Sequence, residues 1–219
     1  KQTNKETLDT IKKNISSNIS KKIIFNEHFS YTESENEYIY YEDEIGKLKL
    51  PKPNLIGEFQ IENVVTAIAT LRSLKLKIKD KHIKSGITKI KSIARLQEIK
   101  KGKIKDLSKN NKIFVDGSHN PLGAKVLNKY LESLSCNKHI ILGMMNNKDH
   151  NEYIKYFKDI ASLTTVDIPN QPNAIKGKEL KKKLSKISNI DYKGSVQEAI
   201  KSISASNNDI ILITGSLYL

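Results

Sequence analysis

Residues 113–121 read Ile-Phe-Val-Asp-Gly-Ser-His-Asn-Pro, an apolar run that ends in polar residues directly before a helix start. The apolar run predicts a buried strand. Helix capping explains Asn120 and Pro121, because asparagine is a favoured N-cap and proline a favoured first helical residue. A turn does not require Asp116, Ser118 and His119, so these three are candidate functional residues.

The same alternation of strand and helix continues to the end of the chain. Strands are predicted near 112–116, 139–143, 162–167, 190–193 and 209–214, with helical stretches near 121–134, 150–160, 176–187 and 195–206. Strands alternating with helices of this length indicate right-handed crossovers and a mainly parallel sheet. We therefore predict an α/β domain over residues 92–219.

Two further strand ends carry glycine beside polar residues. Ligands of open parallel sheets bind outside the carboxyl ends of the strands, which makes both segments candidates for a site. In 140–149 (Ile-Ile-Leu-Gly-Met-Met-Asn-Asn-Lys-Asp), Asp149 is equally suited to capping the next helix and to touching a ligand. In 210–216 (Ile-Ile-Leu-Ile-Thr-Gly-Ser), Ser216 either approaches an anionic ligand or begins a helix.

The first 91 residues show a different pattern. An apolar stripe predicts a helix over 5–20, and β-prone runs at 22–25, 37–41 and 47–50 predict a small antiparallel sheet. Helices are expected near 60–74 and 80–90. In the first of these, Asn63 lies opposite the apolar face. We treat residues 1–91 as a separate domain.

The charge and the cysteine content of the chain indicate which binding partners and which compartment to expect. The net charge of +14 would suit a nucleic-acid partner, but 36 of the 38 basic residues are scattered lysines with few aromatic residues among them. A solvated lysine surface explains such charge equally well, so neither nucleic acid nor a membrane is expected as a partner. One cysteine, Cys136, and no signal-peptide pattern indicate a reducing, cytoplasmic compartment.

Several motifs are absent from these 219 residues. There is no P-loop and no Gly-x-Gly-x-x-Gly, and no Cys/His cluster has metal-site spacing, so no metal ligands are assigned. His28, His82, His139 and His150 lie outside any motif and are expected at the surface or at boundaries.

Five segments, taken in order, resemble the C-terminal half of the folylpolyglutamate synthase/dihydrofolate synthase family, a branch of the Mur ligase superfamily. They are Leu55-Ile-Gly-Glu-Phe-Gln-Ile-Glu-Asn-Val-Val-Thr-Ala67, Ala94-Arg-Leu-Gln97, Asp116-Gly-Ser-His-Asn-Pro121, Asn147-Lys-Asp149 and Thr214-Gly-Ser-Leu-Tyr218. The resemblance implies a Mur-ligase-type Rossmann-like domain over 92–219, preceded at 1–91 by the end of a central ATPase domain. Together the segments span nearly the whole chain.

The resemblance also implies a reaction and its residues. The family joins L-glutamate to dihydropteroate or folate, using ATP and Mg²⁺ through an acyl phosphate. The resemblance places Asn63, Arg95 and Asp116 at positions where the family contacts ATP, with His119 close to the nucleotide and the reaction centre. His119 and Ser216 are candidate catalytic residues on the glutamate side. The P-loop and magnesium ligands are expected in an N-terminal half, so the chain alone is expected to be an inactive fragment. Family members are usually monomers.

Three positions depart from the family pattern, and two alternatives stay open. Phe59 stands where the family often has His, Ala94 where it has Gly, and Asn147 where it has Asp. A Mur-type peptidoglycan ligase would share the fold and the chemistry, although the Gly-Ser-Leu-Tyr ending favours the folate branch. The other alternative is a degenerate half-protein without catalysis. The sequence does not choose between dihydrofolate synthesis and polyglutamate extension.

Overall fold

The computed structural model describes residues 4–16, 22–34, 38–74, 76–108 and 110–219. The chain divides into two compact units, Lys1–Lys91 and Ser92–Leu219, and each has its own apolar core. Among the described helices, none is both long and apolar enough to cross a lipid bilayer.

The described residues of the first unit form a three-stranded antiparallel sheet and three helices. The elements are α1 (Lys5–Ser16), β1 (Phe29–Glu33), β2 (Tyr38–Asp43), β3 (Gly46–Pro51), α2 (Phe59–Ser73) and α3 (Asp80–Ile87). Ile39 pairs with Leu50 and Tyr41 with Leu48, and all four side chains are buried because alternate residues share one face of the sheet. This face and the apolar sides of α2 and α3 form the core.

One predicted strand of this unit is wrong. Residues 22–25 form no strand: Phe25 makes only an isolated bridge to Phe29. The backbone turns immediately afterwards, with Asn26 at φ +63° and its N–H donating to the Phe29 carbonyl, so the run has no length over which to pair. The pairing strand is β1, which the sequence analysis missed. Residues 17–20 of the predicted first helix lie outside the described residues.

The second unit is an α/β domain. Its elements are β4 (Gln97–Ile99), α4 (Lys103–Leu107), β5 (Lys112–Asp116), α5 (Pro121–Glu132), β6 (Lys138–Leu142), α6 (His150–Ile154), β7 (Ser162–Val166), α7 (Gly177–Lys183), β8 (Ile190–Lys193), α8 (Val196–Ser202) and β9 (Ile210–Thr214). The strand order is β4-β5-β9-β6-β7-β8. All neighbours are parallel except β4, which is antiparallel to β5.

The predicted α/β fold with a mainly parallel sheet is therefore confirmed. The last strand along the chain, β9, lies between β5 and β6, and all five of its side chains are buried. A continuous apolar run suits such a position because helices cover both faces of a parallel sheet. The sequence analysis missed β4 and α4, which are three and five residues long.

The helices of this domain are shorter than their sequence patterns suggest. Helix α6 ends at Ile154 rather than near 160, with Asp159 at φ +51° in the connection to β7. Helix α8 ends at Ser202 rather than near 206, because Ile203 is extended. Beyond these ends Phe157 is buried against Tyr153 and Ile203 packs against the core, so an apolar pattern continues where the helical backbone does not.

Candidate functional site

Three strand ends of the second unit are level with one another. Asp116 at the end of β5 pairs with Thr214 of β9, and Thr214 pairs with Leu142 of β6. The three loops that follow therefore begin side by side at one edge of the sheet. This is the edge where open parallel sheets bind ligands.

The carboxylate of Asp116 joins two segments at this edge. Its Oδ2 accepts a hydrogen bond from the Leu96 amide at 2.8 Å, and its Oδ1 accepts one from the Ser118 amide at 2.8 Å. The side chain is buried. Each carboxylate oxygen keeps a further acceptor position, but the observed contacts fix the backbone. Asp116 therefore positions the loop after β5 against the segment before β4.

That preceding segment has an unusual backbone. Ala94 and Leu96 have φ values of +50° and +48°, which side chains other than glycine seldom adopt. The Ala94 amide donates to Oε1 of Gln97 at 3.0 Å, and the Ala94 carbonyl accepts from the Gly117 amide at 2.8 Å. Glycine at position 94 would meet the same φ without strain, which gives a physical reason for a family preference for glycine there.

Arg95 lies between these two strained residues and is exposed. Its guanidinium makes one long contact, 3.5 Å from Nη1 to the Ala94 carbonyl. No carboxylate in the described ranges forms an ion pair with it. The backbone is thus held firmly while the guanidinium stays available, an arrangement suited to a bidentate contact with phosphate or carboxylate oxygens.

Gly117 lies where two side chains approach the backbone closely. A Cβ built at this position would lie 2.1 Å from Cδ2 of Leu217 and 3.4 Å from Nη1 of Arg95. Any larger residue would have to displace the leucine. Gly117 therefore brings the segment of Arg95 and the segment after β9 to the same loop.

His119 is half-buried in the loop after β5. Its Nδ1 lies 3.1 Å from the Gly117 carbonyl oxygen. Since a carbonyl only accepts, Nδ1 carries the proton in this contact, and the neutral ring then offers Nε2 as an acceptor. Asn120 caps α5, with Oδ1 accepting from the Gly123 amide at 2.8 Å, as predicted from the sequence.

Ser216 follows a strained glycine at the end of β9. Gly215 has φ +103°, and a Cβ there would lie 2.4 Å from the Gly143 carbonyl oxygen, so only glycine fits. Ser216 is buried, and its Oγ accepts a hydrogen bond from the Tyr218 amide at 3.2 Å. Residues 217 and 218 form a turn, and both sequence-based interpretations of Ser216 stay predictions.

A buried tyrosine that the sequence analysis missed connects the loops. Tyr153 on α6 donates its hydroxyl proton to the Ser118 carbonyl at 3.1 Å. The same hydroxyl oxygen lies 2.7 Å from Oγ1 of Thr214 and 3.0 Å from Oγ of Ser118. Burial raises the pKa of Tyr153 far above its usual value, so the phenol stays protonated and remains a donor.

Asp149, the acidic residue in the loop after β6, is explained by helix capping. Oδ1 of Asp149 accepts from the Glu152 amide at 3.0 Å, so Asp149 caps α6.

His150 is buried and donates from Nε2 to the Met145 carbonyl at 3.0 Å. Burial lowers the pKa of His150, which keeps the ring neutral. The prediction of surface or boundary positions is wrong for His150 and also for His139, which is buried beside Ser162.

Asn63 belongs to the first unit. It lies on the exposed face of α2, opposite the buried residues Val64 and Val65, as the sequence pattern indicated. Its Nδ2 donates to Oε1 of Gln60 at 3.1 Å, which leaves its own oxygen free to accept.

The predicted site residues are thus distributed over both units. In the second unit, Arg95, Asp116, His119 and Ser216 come together on adjoining loops. Within the described ranges, no three His, Cys, Asp or Glu side chains are grouped so that they could hold a metal ion. The exposed guanidinium of Arg95 is suited to binding an anion at this edge.

Fold and site together define a Rossmann-like domain whose loop edge carries an exposed arginine. A family model, described as Mur ligase, glutamate ligase domain, matches residues 95–217, more than half of the chain. The chain therefore belongs to the Mur ligase family, with its glutamate ligase domain in the second unit. This family was the one expected from the sequence motifs.

Two curated relatives carry folate-related names. The chain is 29% identical over 191 residues to the folylpolyglutamate synthase of Lacticaseibacillus casei, a match that covers 82% of this chain and 41% of the relative. It is 26% identical over 198 residues to the dihydrofolate synthase/folylpolyglutamate synthase of Buchnera aphidicola subsp. Baizongia pistaciae, covering 88% of this chain and 43% of the relative. The chain thus spans less than half the length of these relatives.

Solved structures share the fold. E. coli FolC in complex with ADP superposes with a TM-score of 0.80 at 21% identity, covering 96% of this chain and 48% of that one. The folylpolyglutamate synthase of Thermotoga maritima superposes with a TM-score of 0.75 at 22% identity, covering 99% and 50%. At these identities the likeness establishes the fold alone.

Proposed function

We propose that this chain is the glutamate-joining part of an ATP-dependent ligase that adds L-glutamate to dihydropteroate, folate or both. Residues 1–91 would be the end of the central ATPase domain and residues 92–219 the C-terminal domain. The observation that carries the proposal is the exposed Arg95 guanidinium, held beside the loop that Asp116 fixes. Family membership and the names of the curated relatives support the choice of reaction.

The proposed reaction proceeds through an acyl phosphate. The acceptor carboxylate attacks the γ-phosphorus of ATP and releases ADP, and the amine of glutamate then attacks the acyl carbon and releases phosphate. Both steps depend mainly on positioning and on neutralising phosphate charge. Arg95 would neutralise phosphate oxygens, and Asp116 would hold the loop that faces them.

Other residues would serve binding. Asn63 offers a free amide oxygen to an exocyclic amine such as that of adenine, in line with its matched position in the family. His119 and Ser216 would face glutamate, because they lie on the two loops after β5 and β9. We expect the magnesium ligands and the P-loop from another part of the protein, since these 219 residues contain no P-loop motif. On this proposal the chain alone does not catalyse ligation.

The test is a ligation assay on the complete polypeptide in which this chain occurs. ATP, Mg²⁺ and L-glutamate are supplied with dihydropteroate or tetrahydrofolate, and products are separated by chromatography. Arg95→Ala should lower kcat/KM at least tenfold, equivalent to about 1.4 kcal/mol of transition-state stabilisation. Arg95→Lys tests whether charge alone suffices, and Lys201→Ala on α8 is a control cation that should leave the rate unchanged.

The acceptor that yields product decides which reaction the enzyme performs. Product from neither acceptor, in a folded polypeptide that contains a P-loop, would reject the folate assignment. A UDP-linked peptidoglycan precursor would then be the next acceptor to try. A rate that is equal in wild type and Arg95→Ala would remove Arg95 from the site.

A further inference from the structure

Helix α7 and the residues flanking it carry a dense set of unpaired cations. Residues 176–186 contain six lysines and one acidic residue, Glu179. Lys181 is paired with Asp191 at 3.3 Å. The other five are exposed, and no carboxylate in the described part of the chain forms an ion pair with them. These five, Lys176, Lys178, Lys182, Lys183 and Lys186, are called the basic ridge.

Three residues of the basic ridge lie within α7 itself, namely Lys178, Lys182 and Lys183. Lys178 and Lys182 are four positions apart, so their like charges face each other on one side of the helix and repel. Leu180 and Leu184 are buried and pack the opposite side onto the domain. Burial of these leucines holds the helix in place despite the repulsion, and an anion bound along the exposed side would relieve it.

The basic ridge starts at the edge of the sheet that carries the site. The Gly177 amide donates to Oδ1 of Asp167, which directly follows β7, at 2.7 Å. The segment before α7 is bonded to the loop after β6: the Ile175 amide donates to the Met144 carbonyl at 3.1 Å, and the Asn146 amide to the Asn173 carbonyl at 2.9 Å. That loop adjoins β9, because the Gly143 amide donates to the Thr214 carbonyl at 3.2 Å.

We propose that the basic ridge binds the poly-γ-glutamate tail of a folate acceptor, a polyanion with one free carboxylate per residue. The proposal rests on the proposed function. It predicts that acceptors which already carry a glutamate tail are favoured over dihydropteroate, which has none. Repeated carboxylates would meet repeated ammonium groups along an open surface that begins beside the loops after β6 and β9.

The chemistry of the basic ridge fits carboxylates better than nucleic acid. Residues 173–189 contain no aromatic residue on which bases could stack and no arginine to grip phosphate in a bidentate way. Lysine supplies a flexible point charge instead, which suits a flexible chain of separate carboxylates. Binding to such a surface should weaken as salt screens the charges.

The test measures binding of a fluorescein-labelled γ-linked pentaglutamate to the 219-residue chain by anisotropy, at low and at moderate salt. Lys178, Lys182 and Lys183 are replaced together by glutamine, which has a similar helix propensity. The control replaces Lys112, Lys158 and Lys201, three exposed lysines outside α7 and its flanking residues, and removes the same charge. Circular dichroism checks that both variants are folded.

We expect the ridge variant to bind the pentaglutamate at least tenfold more weakly and the control variant to change less than twofold. Equal weakening in both variants, or no binding to the wild type at low salt, would overturn the proposal. Tighter binding of an oligodeoxynucleotide of matched charge would also overturn it and indicate a nucleic-acid surface. Because the readout is binding to the chain itself, its failure is distinct from failure of the ligation assay.

Discussion

The hydroxyl oxygen of Tyr153 lies 2.7 Å from Oγ1 of Thr214, in the interior of the second unit. Both side chains are fully buried. The same phenol donates to the Ser118 carbonyl, so one hydroxyl connects the end of β9 to the loop that carries His119. The buried Tyr153 therefore positions two loops of the candidate site, the one after β5 and the one after β9, from the protein interior.

Tyr153→Phe should destabilise the second unit by about 1–3 kcal/mol, because it leaves the buried Thr214 hydroxyl and Ser118 carbonyl without their phenol partner. Urea unfolding measures this change. Tyr156→Phe is the matched control: its ring is half-buried beside Lys155, and no hydrogen bond of its hydroxyl occurs among the described residues. Equal stability of the Tyr153 variant and wild type would contradict the positioning role.

Gly215→Ala should also be destabilising, by at least about 2 kcal/mol, because the new methyl group combines a strained φ with a steric overlap. The φ of +103° is unfavourable for alanine, and the added Cβ would lie 2.4 Å from the Gly143 carbonyl oxygen. Gly86→Ala in α3 is the contrasting control, since a Cβ there meets no atom within 4 Å. That replacement should be neutral or stabilising by up to about 1 kcal/mol. Chemical denaturation distinguishes the two.

The loop after β5 illustrates how far the sequence alone reaches. The apolar run 113–115 and the capping pair Asn120 and Pro121 predicted a strand, a loop and a helix, and the structure has all three. These features follow from local physics. The pairing of Asp116 with the Leu96 amide is different: it joins residues that are distant in the chain, and no local pattern encodes it.

Tyr153 and the strand β1 show why other features were missed. Within α6, a buried tyrosine resembles any core aromatic residue, and only the three-dimensional structure reveals that its hydroxyl faces Thr214. The run 22–25, which precedes β1, is more apolar than β1 itself. The backbone turns at Asn26, however, and residues 29–33 are the ones that pair with β2. Tertiary pairing overrode local propensity in this case.

Arg72→Ala should destabilise the first unit by about 3–5 kcal/mol, because it leaves a buried carboxylate unpaired. Nε of Arg72 lies 2.8 Å from Oδ2 of Asp43, and both side chains are about one-tenth exposed or less, at 11% and 8%. Burial raises the pKa of Asp43, but hydrogen bonds from Arg72, Tyr41 and the Ile45 amide outweigh burial and lower it overall. Removing Arg72 should therefore raise that pKa.

The other arginine provides the comparison. Arg95 is exposed and makes one long contact, so Arg95→Ala should change stability by less than about 0.5 kcal/mol. Thermal or urea unfolding of the two variants checks both expectations. A stable Arg72→Ala protein would mean that Asp43 finds another partner, and an unstable Arg95→Ala protein would mean that Arg95 supports the fold as well as the site.

Low pH should reduce the unfolding free energy of the second unit, in part because Asp209 becomes protonated. Asp209→Asn should remove that part of the pH dependence. The Ser206 amide donates to Oδ2 at 2.8 Å, and the Asn137 amide to Oδ1 at 3.3 Å. The Ser206 hydrogen bond is the main cause that lowers the pKa of Asp209; burial opposes it, and Asn137 and the nearby His139 lower the pKa further.

A carboxylate with a lowered pKa stabilises the folded state above its unfolded pKa of about 3.9, and the stabilisation disappears as pH falls through the folded pKa. Asparagine has one carbonyl oxygen and one NH₂ group, so it can accept from only one of the two backbone amides, and neither amide keeps a charged acceptor. At neutral pH the asparagine variant should therefore be less stable than wild type. The difference between the two proteins should shrink as pH falls below about 4. Urea unfolding at pH 7 and at pH 3 measures it, with Asp106→Asn, an exposed aspartate, as control. A difference that stays constant across this range would place the acid sensitivity in other groups.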